Sequence, residues 1–106
     1  AGGLFTSYLT MYRSEVLAAS APFSGGVTDP DYVAPARDLP VMLSWGGSWD
    51  RFGGFDFDAA TVLFADMLRD DGHDVALCPH RLGHFLPDDA GAQALVFFED
   101  HRGEPR

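Results

Sequence analysis

Asp50, His80 and His84 are the residues whose types and places suit proton transfer. Asp50 closes the run Gly46-Gly47-Ser48-Trp49-Asp50. The histidines lie in Pro79-His80-Arg81-Leu82-Gly83-His84-Phe85-Leu86-Pro87. A carboxylate set against an imidazole fixes the ring's tautomer and stabilises the imidazolium, which is two-thirds of a Ser-Asp-His triad. Each residue also has a plain structural use. Asp is common in Gly-rich turns, and a histidine in such a place can cap the next helix or sit hydrogen-bonded in a core. Between the two histidines, His84 follows Gly83, whose backbone freedom lets the ring turn toward the acid. Phe85 and Leu86 can anchor it by burial. His80 follows Cys78 by two residues, still near a strand end, and suits a supporting or surface contact.

Other chemistries draw on the same residues. Cys78, His80 and His84, joined by Asp50 or Asp74, are all zinc-ligand types. Cys-x-His-x-x-x-His is not a common structural-zinc spacing, however, and a lone Cys in a strand usually packs as a small hydrophobe. Ser24, Ser44 and Ser48 offer hydroxyls, but none stands in Gly-x-Ser-x-Gly, the turn that exposes a nucleophile. Trp45, Trp49, Phe52, Phe55 and Phe57 crowd the acid loop. Most of these rings should serve packing, and one or two could line an acyl or aryl pocket.

The elements that must position these residues alternate between two apolar periods. Leu4 to Tyr12 reads as a short helix with Leu4, Tyr8 and Met11 or Tyr12 sharing one face at helical spacing. Val16 to Phe23 is a continuous apolar run, suited to a buried strand. Residues 28–40, rich in proline and aspartate, read as loop. Val41 to Trp45 is a second strand, stopped by Gly46-Gly47, and a Gly- and Phe-rich loop follows. Asp56 or Asp58 caps a helix over Ala59 to Leu68 whose buried stripe is Val62, Leu63 and Met67. Gly72 is its left-handed C′ residue. Val75 to Cys78 is a third strand. A last helix opens near Pro87, with Asp88 and Asp89 in its first turn and Ala94, Leu95 and Phe98 facing the core. This order predicts an α/β fold of three layers, a short parallel sheet with helices on both faces. In such sheets function sits beyond the C-terminal strand ends, where Asp50 and the histidines fall. Three strands buried on both faces leave a sheet edge bare, so the expectation is half of a larger sheet.

The 106 residues suffice for one small domain, here a partial one spanning 1–106, and nine Phe favour a packed core. Sixteen acidic residues against seven basic ones give a net charge of −9, which disfavours nucleic acid as a partner. No apolar run is long enough to span a membrane. The start, AGGLFTSYLTMYR, shows no signal peptide and no initiator Met, so the true N-terminus is expected upstream. The single cysteine rules out a disulfide within the chain.

Taken in series, these motifs carry a family resemblance. Ala1-Gly2-Gly3 followed by a helix resembles the second half of a nucleophile elbow, Gly-x-Ser-Ala-Gly-Gly. Ala18 to Gly26, ending Ser24-Gly25-Gly26, resembles the strand that follows in polyhydroxybutyrate-depolymerase-like and feruloyl-esterase-like serine esterases. Pro40 to Asp50 resembles their acid-bearing strand and loop, and Gly83-His84 their catalytic histidine. The resemblance covers nearly the whole chain. It implies the C-terminal half of an α/β-hydrolase, a secreted or periplasmic carboxylic-ester hydrolase working through an acyl-enzyme with no cofactor. In it His84 would act as general base and then acid, Asp50 would orient it, and the Ala1 amide would donate to the oxyanion. The chain departs from the pattern in lacking the serine, so alone it should be inactive. The ester, small or polymeric, stays open among polyester, feruloyl ester and acetylated polysaccharide. The alternative from another class is a non-catalytic flavodoxin-like α/β module, with Ser24-Gly25-Gly26 as its only candidate phosphate loop.

Overall fold

A computed structural model describes residues 2–28, 31–84 and 90–101. The described chain runs α1 (Gly2–Tyr12), a 3-10 turn (Ser14–Val16), β1 (Val41–Trp45) and a second 3-10 turn (Gly47–Trp49). It continues through β2 (Arg51–Phe52), β3 (Phe55–Asp56), α2 (Phe57–Asp70), β4 (Val75–Pro79) and α3 (Ala90–Asp100). The protein is a compact α/β fold with a short parallel sheet and flanking helices.

β1 and β4 pair in parallel from Val41↔Val75 to Trp45↔Pro79. The predicted first strand is shorter than Val16 to Phe23. Ser14–Val16 is a 3-10 turn and Val16 is exposed. Only the second half of the run lies along β1, through parallel bridges Ser20↔Val41 and Phe23↔Ser44. The backbone bonds Ser20 N–H to Pro40 O, Met42 N–H to Ser20 O, Ser44 N–H to Pro22 O and Ser24 N–H to Ser44 O hold it there. Pro22 has no N–H to add to this ladder. β1 is thus central, flanked by the 20–24 segment on one side and β4 on the other.

Every residue of β1 is buried because its two faces meet different layers. Val41, Leu43 and Trp45 join Phe64, Ala65 and Leu68 of α2, with Met11, Val27, Leu39 and Val75. Met42 faces the opposite way, into a cluster with Ala21 and Ala94 that Phe23, Ala76, Cys78 and Phe97 border. The alternation along one strand is what places α2 and α3 on opposite sides of the sheet.

The helices form where expected but present other faces. In α2 the buried stripe is Phe57, Ala60, Thr61, Phe64, Ala65 and Leu68, while Val62 is exposed and Leu63 and Met67 only half-buried. That i, i+3, i+4 series contains the small residues that let the helix approach the sheet closely. Asp56 is the N-cap, its side chain accepting from Ala59 N–H at 3.0 Å. The far end closes as a Schellman motif: Gly72 (φ 84°) donates to Arg69 O and His73 N–H to Leu68 O. In α3, Ala90 and Ala94 are buried, but Leu95 and Phe98 are exposed; Phe97 makes the inner contact instead. The predicted helix start at Pro87, with Asp88 and Asp89, lies outside the described residues.

α1 departs most from expectation. Leu4, Tyr8 and Tyr12 are exposed, and Ser7, Thr10 and Met11 are buried. The polar side faces inward because it is used there. Ser7 Oγ donates to Gly3 O and accepts from Gly26 N–H, both at 2.9 Å. Thr10 Oγ1 and Ser20 Oγ share a buried hydrogen bond of 2.6 Å. Small residues also allow near-contact of backbones: a Cβ on Gly3 would lie 2.0 Å from Phe23 O.

Candidate functional site

Asp50 is delivered by the tight turn after β1. Gly47 takes φ 66°, a left-handed conformation that glycine adopts freely, and Asp50 N–H donates to Gly47 O at 3.0 Å. Asp50 O in turn accepts from Phe57 N–H at 2.9 Å, tying the acid to the start of α2. The carboxylate is fully buried, and three donors meet it. Gly46 N–H (2.9 Å) and Ser24 Oγ (2.5 Å) donate to Oδ2, and His84 Nδ1 lies 2.7 Å from Oδ1. A buried carboxylate is tolerated when its lone pairs are so occupied.

His84 arrives from the turn after β4. His80 N–H donates to Trp45 O at 2.8 Å, extending the parallel pairing by one step. The His80 ring stays in its own turn, where Nδ1 accepts from Leu82 N–H at 3.2 Å. Gly83 (φ 64°) then redirects the chain. Here the two loops interlock: a Cβ on Gly46 would stand 1.9 Å from Gly83 O. His84 is stacked between two phenyl rings, Phe57 at a centroid distance of 4.4 Å and Phe52 at 5.1 Å. Its side chain is 26% exposed against 0% for Asp50, so the pair has an open end at the ring.

The donor count fixes the chemistry this pair can perform. An ionised carboxylate only accepts, so Nδ1 carries the proton shared with Oδ1. Nε2 is left with its lone pair as the atom that takes a proton. A buried, hydrogen-bonded carboxylate behind a stacked imidazole is a base of fixed tautomer and orientation.

Asp50 and His84 are therefore brought together, and His80 is kept apart as a turn residue. Ala1 lies outside the described residues, as do Phe85 and Leu86. Cys78 sits half-buried on β4 opposite Ser44, and burial pushes its thiol pKa up. Among the described residues no three His, Cys, Asp or Glu side chains gather closely enough to hold a metal ion. Of the three serines, Ser44 is buried in β1, Ser48 is exposed, and the Ser24 hydroxyl is turned to Asp50. The Ser24-Gly25-Gly26 loop does not offer a phosphate cradle. Two of its three amides are engaged, Ser24 N–H by Ser44 O and Gly26 N–H by Ser7 Oγ, and a Cβ on Gly25 would lie 2.3 Å from Gly3 O.

The aromatic set divides by role. Trp45 is buried and its Nε1–H donates to Asp58 at 2.8 Å. Phe55 packs edge-on against Phe57, and Trp49 and Phe52 are the most exposed of the large apolar side chains among the described residues. Sequence reasoning missed three supports of the pair: Ser24, Phe52 and Phe57. A signal for Phe52 exists in Phe52-Gly53-Gly54-Phe55. Gly53 and Gly54 both take positive φ (60° and 79°) and join β2 to β3 as a two-residue hairpin. No comparable signal marks Ser24.

No helix among the described residues is long and apolar enough to cross a membrane. Comparison with models of protein families, with curated proteins and with solved structures returns no match.

Proposed function

We propose that this chain supplies the acid and histidine of a serine-type carboxylic-ester hydrolase and forms the C-terminal half of an α/β-hydrolase sheet. The carrying observation is the 2.7 Å contact between Asp50 Oδ1 and His84 Nδ1, made beyond the C-terminal ends of two neighbouring parallel strands. The order of acid then histidine on successive strands is that of α/β-hydrolases. The placement of α1 supports the same reading. Gly3 lies against Ser24, whose hydroxyl bonds Asp50, so the start of α1 packs on the loop that supports the acid.

In this mechanism His84 Nε2 takes the serine proton as the hydroxyl oxygen attacks the ester carbonyl. It then returns that proton to the leaving alkoxide, and the cycle repeats with water on the acyl-enzyme. Asp50 stabilises the imidazolium at each step. The Ala1 amide would donate to the oxyanion. Secretion or a periplasmic location goes with this reading, and the acyl and alcohol parts of the ester remain open. The test is turnover of p-nitrophenyl esters by a protein in which this chain follows a Gly-x-Ser segment. Activity should be abolished by a serine-directed phosphonate and by His84→Ala. The 106-residue chain alone should show neither turnover nor labelling. Phosphonate-sensitive turnover by the chain alone would place the nucleophile within it and defeat the proposal.

A further inference from the structure

Ser24 is the described non-glycine residue with a left-handed backbone, at φ 51°. That conformation favours glycine, and non-glycine residues held there mark places where the side chain or the surroundings compel it. Glycines stand at the next two positions, 25 and 26, so the loop already uses glycine where backbone demands it. The Ser24 side chain shows what the serine supplies. Its hydroxyl donates to Asp50 Oδ2 at 2.5 Å, and Ser44 O accepts its N–H at 2.8 Å, fixing it to β1.

We propose that Ser24 is a positioning residue for the Asp50–His84 pair. It acts by fixing the plane of the Asp50 carboxylate, so that one oxygen takes Ser24 Oγ and Gly46 N–H while the other faces the imidazole. The inference deepens the reading of Asp50 and His84 as triad members and rests on it for its catalytic meaning. Gly46 N–H is the other donor to Oδ2, and with one donor lost the carboxylate turns more freely about its Cβ–Cγ bond. Two donors from different places, one at the end of the 20–24 segment and one just after β1, define its plane. His84 then meets an acceptor in one place, and its Nδ1–H tautomer is enforced. Free imidazole side chains prefer the other tautomer, so the Nδ1–H form reports a well-made Asp50–His84 contact and not folding as such.

The experiment compares the 106-residue chain with its Ser24→Gly and Ser24→Ala variants. The readouts are the melting temperature and the tautomer of His84, from long-range nitrogen–proton NMR correlations at a pH where the ring is neutral. Ser24→Gly relieves the backbone conformation, so its melting temperature should hold or rise. His84 should nevertheless lose most of its Nδ1–H tautomer. Ser24→Ala should show the same tautomer change with the backbone demand retained, and it carries the test if the glycine variant folds poorly. An unchanged His84 tautomer in either folded variant would overturn the proposal, as would a wild-type ring lacking the Nδ1–H form. Esterase assays separate this claim from the functional one. A tautomer that depends on Ser24 in a protein without ester turnover would uphold the lock and reject the hydrolase.

Discussion

Removing either partner of the Asp50–His84 contact has consequences that differ in kind. Asp50→Asn keeps the shape but places an amide against Nδ1, which can turn the ring to the wrong tautomer. In an active protein containing this chain, turnover should fall about 10⁴-fold, the scale set by that exchange in serine proteases, with little change in KM. His84→Ala should cost several orders of magnitude in kcat. His80→Ala, which removes the contact to Leu82 N–H, should cost less than about tenfold. The reverse order, with both variants folded, would assign the base to His80. Cys78 gives a separate check. Its raised thiol pKa leaves less thiolate, so iodoacetamide at pH 8.5 should modify it more slowly than a small free thiol. The unfolded thiol ionises first, so stability falls as pH rises from the ordinary thiol range through the folded value.

At the scale of elements, the loops after β1 and β4 act as one piece because their backbones touch at Gly46 and Gly83. Gly46→Ala cannot be accommodated without moving the Gly83 carbonyl. It should loosen the Asp50–His84 contact even in a chain that still folds, seen as changed His84 ring shifts by NMR. In α2, Phe64 is fully buried, and Phe64→Ala should lower unfolding free energy by about 3–5 kcal/mol in urea denaturation. These elements were unevenly legible. β1, β4, the Asp56 cap and the Gly72 terminus follow from local signals, since a short apolar run, an Asp before a helix and a Gly after one each act within a few residues. Asp50 and His84 were legible because strand ends define where loops converge. The inward faces of α1 and α2 were not. Periodicity sees apolar side chains, whereas Ser7, Thr10 and Thr61 are buried for their small size and their hydrogen bonds, which include partners distant in sequence. The support from Ser24 is 26 residues from Asp50, with no intervening pattern to announce it.

Across the whole molecule, apolar side chains remain on two helix surfaces. Phe5, Tyr8 and Tyr12 of α1 are 61%, 51% and 46% exposed, with the first two rings stacked and the last two in contact. Leu95 and Val96 of α3 are 66% and 65% exposed. Such exposure exceeds what scattered surface residues contribute. The chain alone should therefore bind a hydrophobic dye such as ANS in its folded state, despite its net charge of −9. Dye emission no greater than that of a well-covered globular protein would show that these rings are not accessible in solution. The bond from Gly46 N–H to Asp50 Oδ2 has a consequence for measuring motion at the site. This amide is tied to a side chain and not to the sheet ladder, so its proton can exchange with solvent deuterium only when the carboxylate lets go. If the β1–β4 pairing stays intact while Gly46 exchanges, the Gly46 rate reads opening of the acid loop by itself. If Gly46 and the amides of β1 exchange together, the acid loop and the sheet open as one cooperative unit.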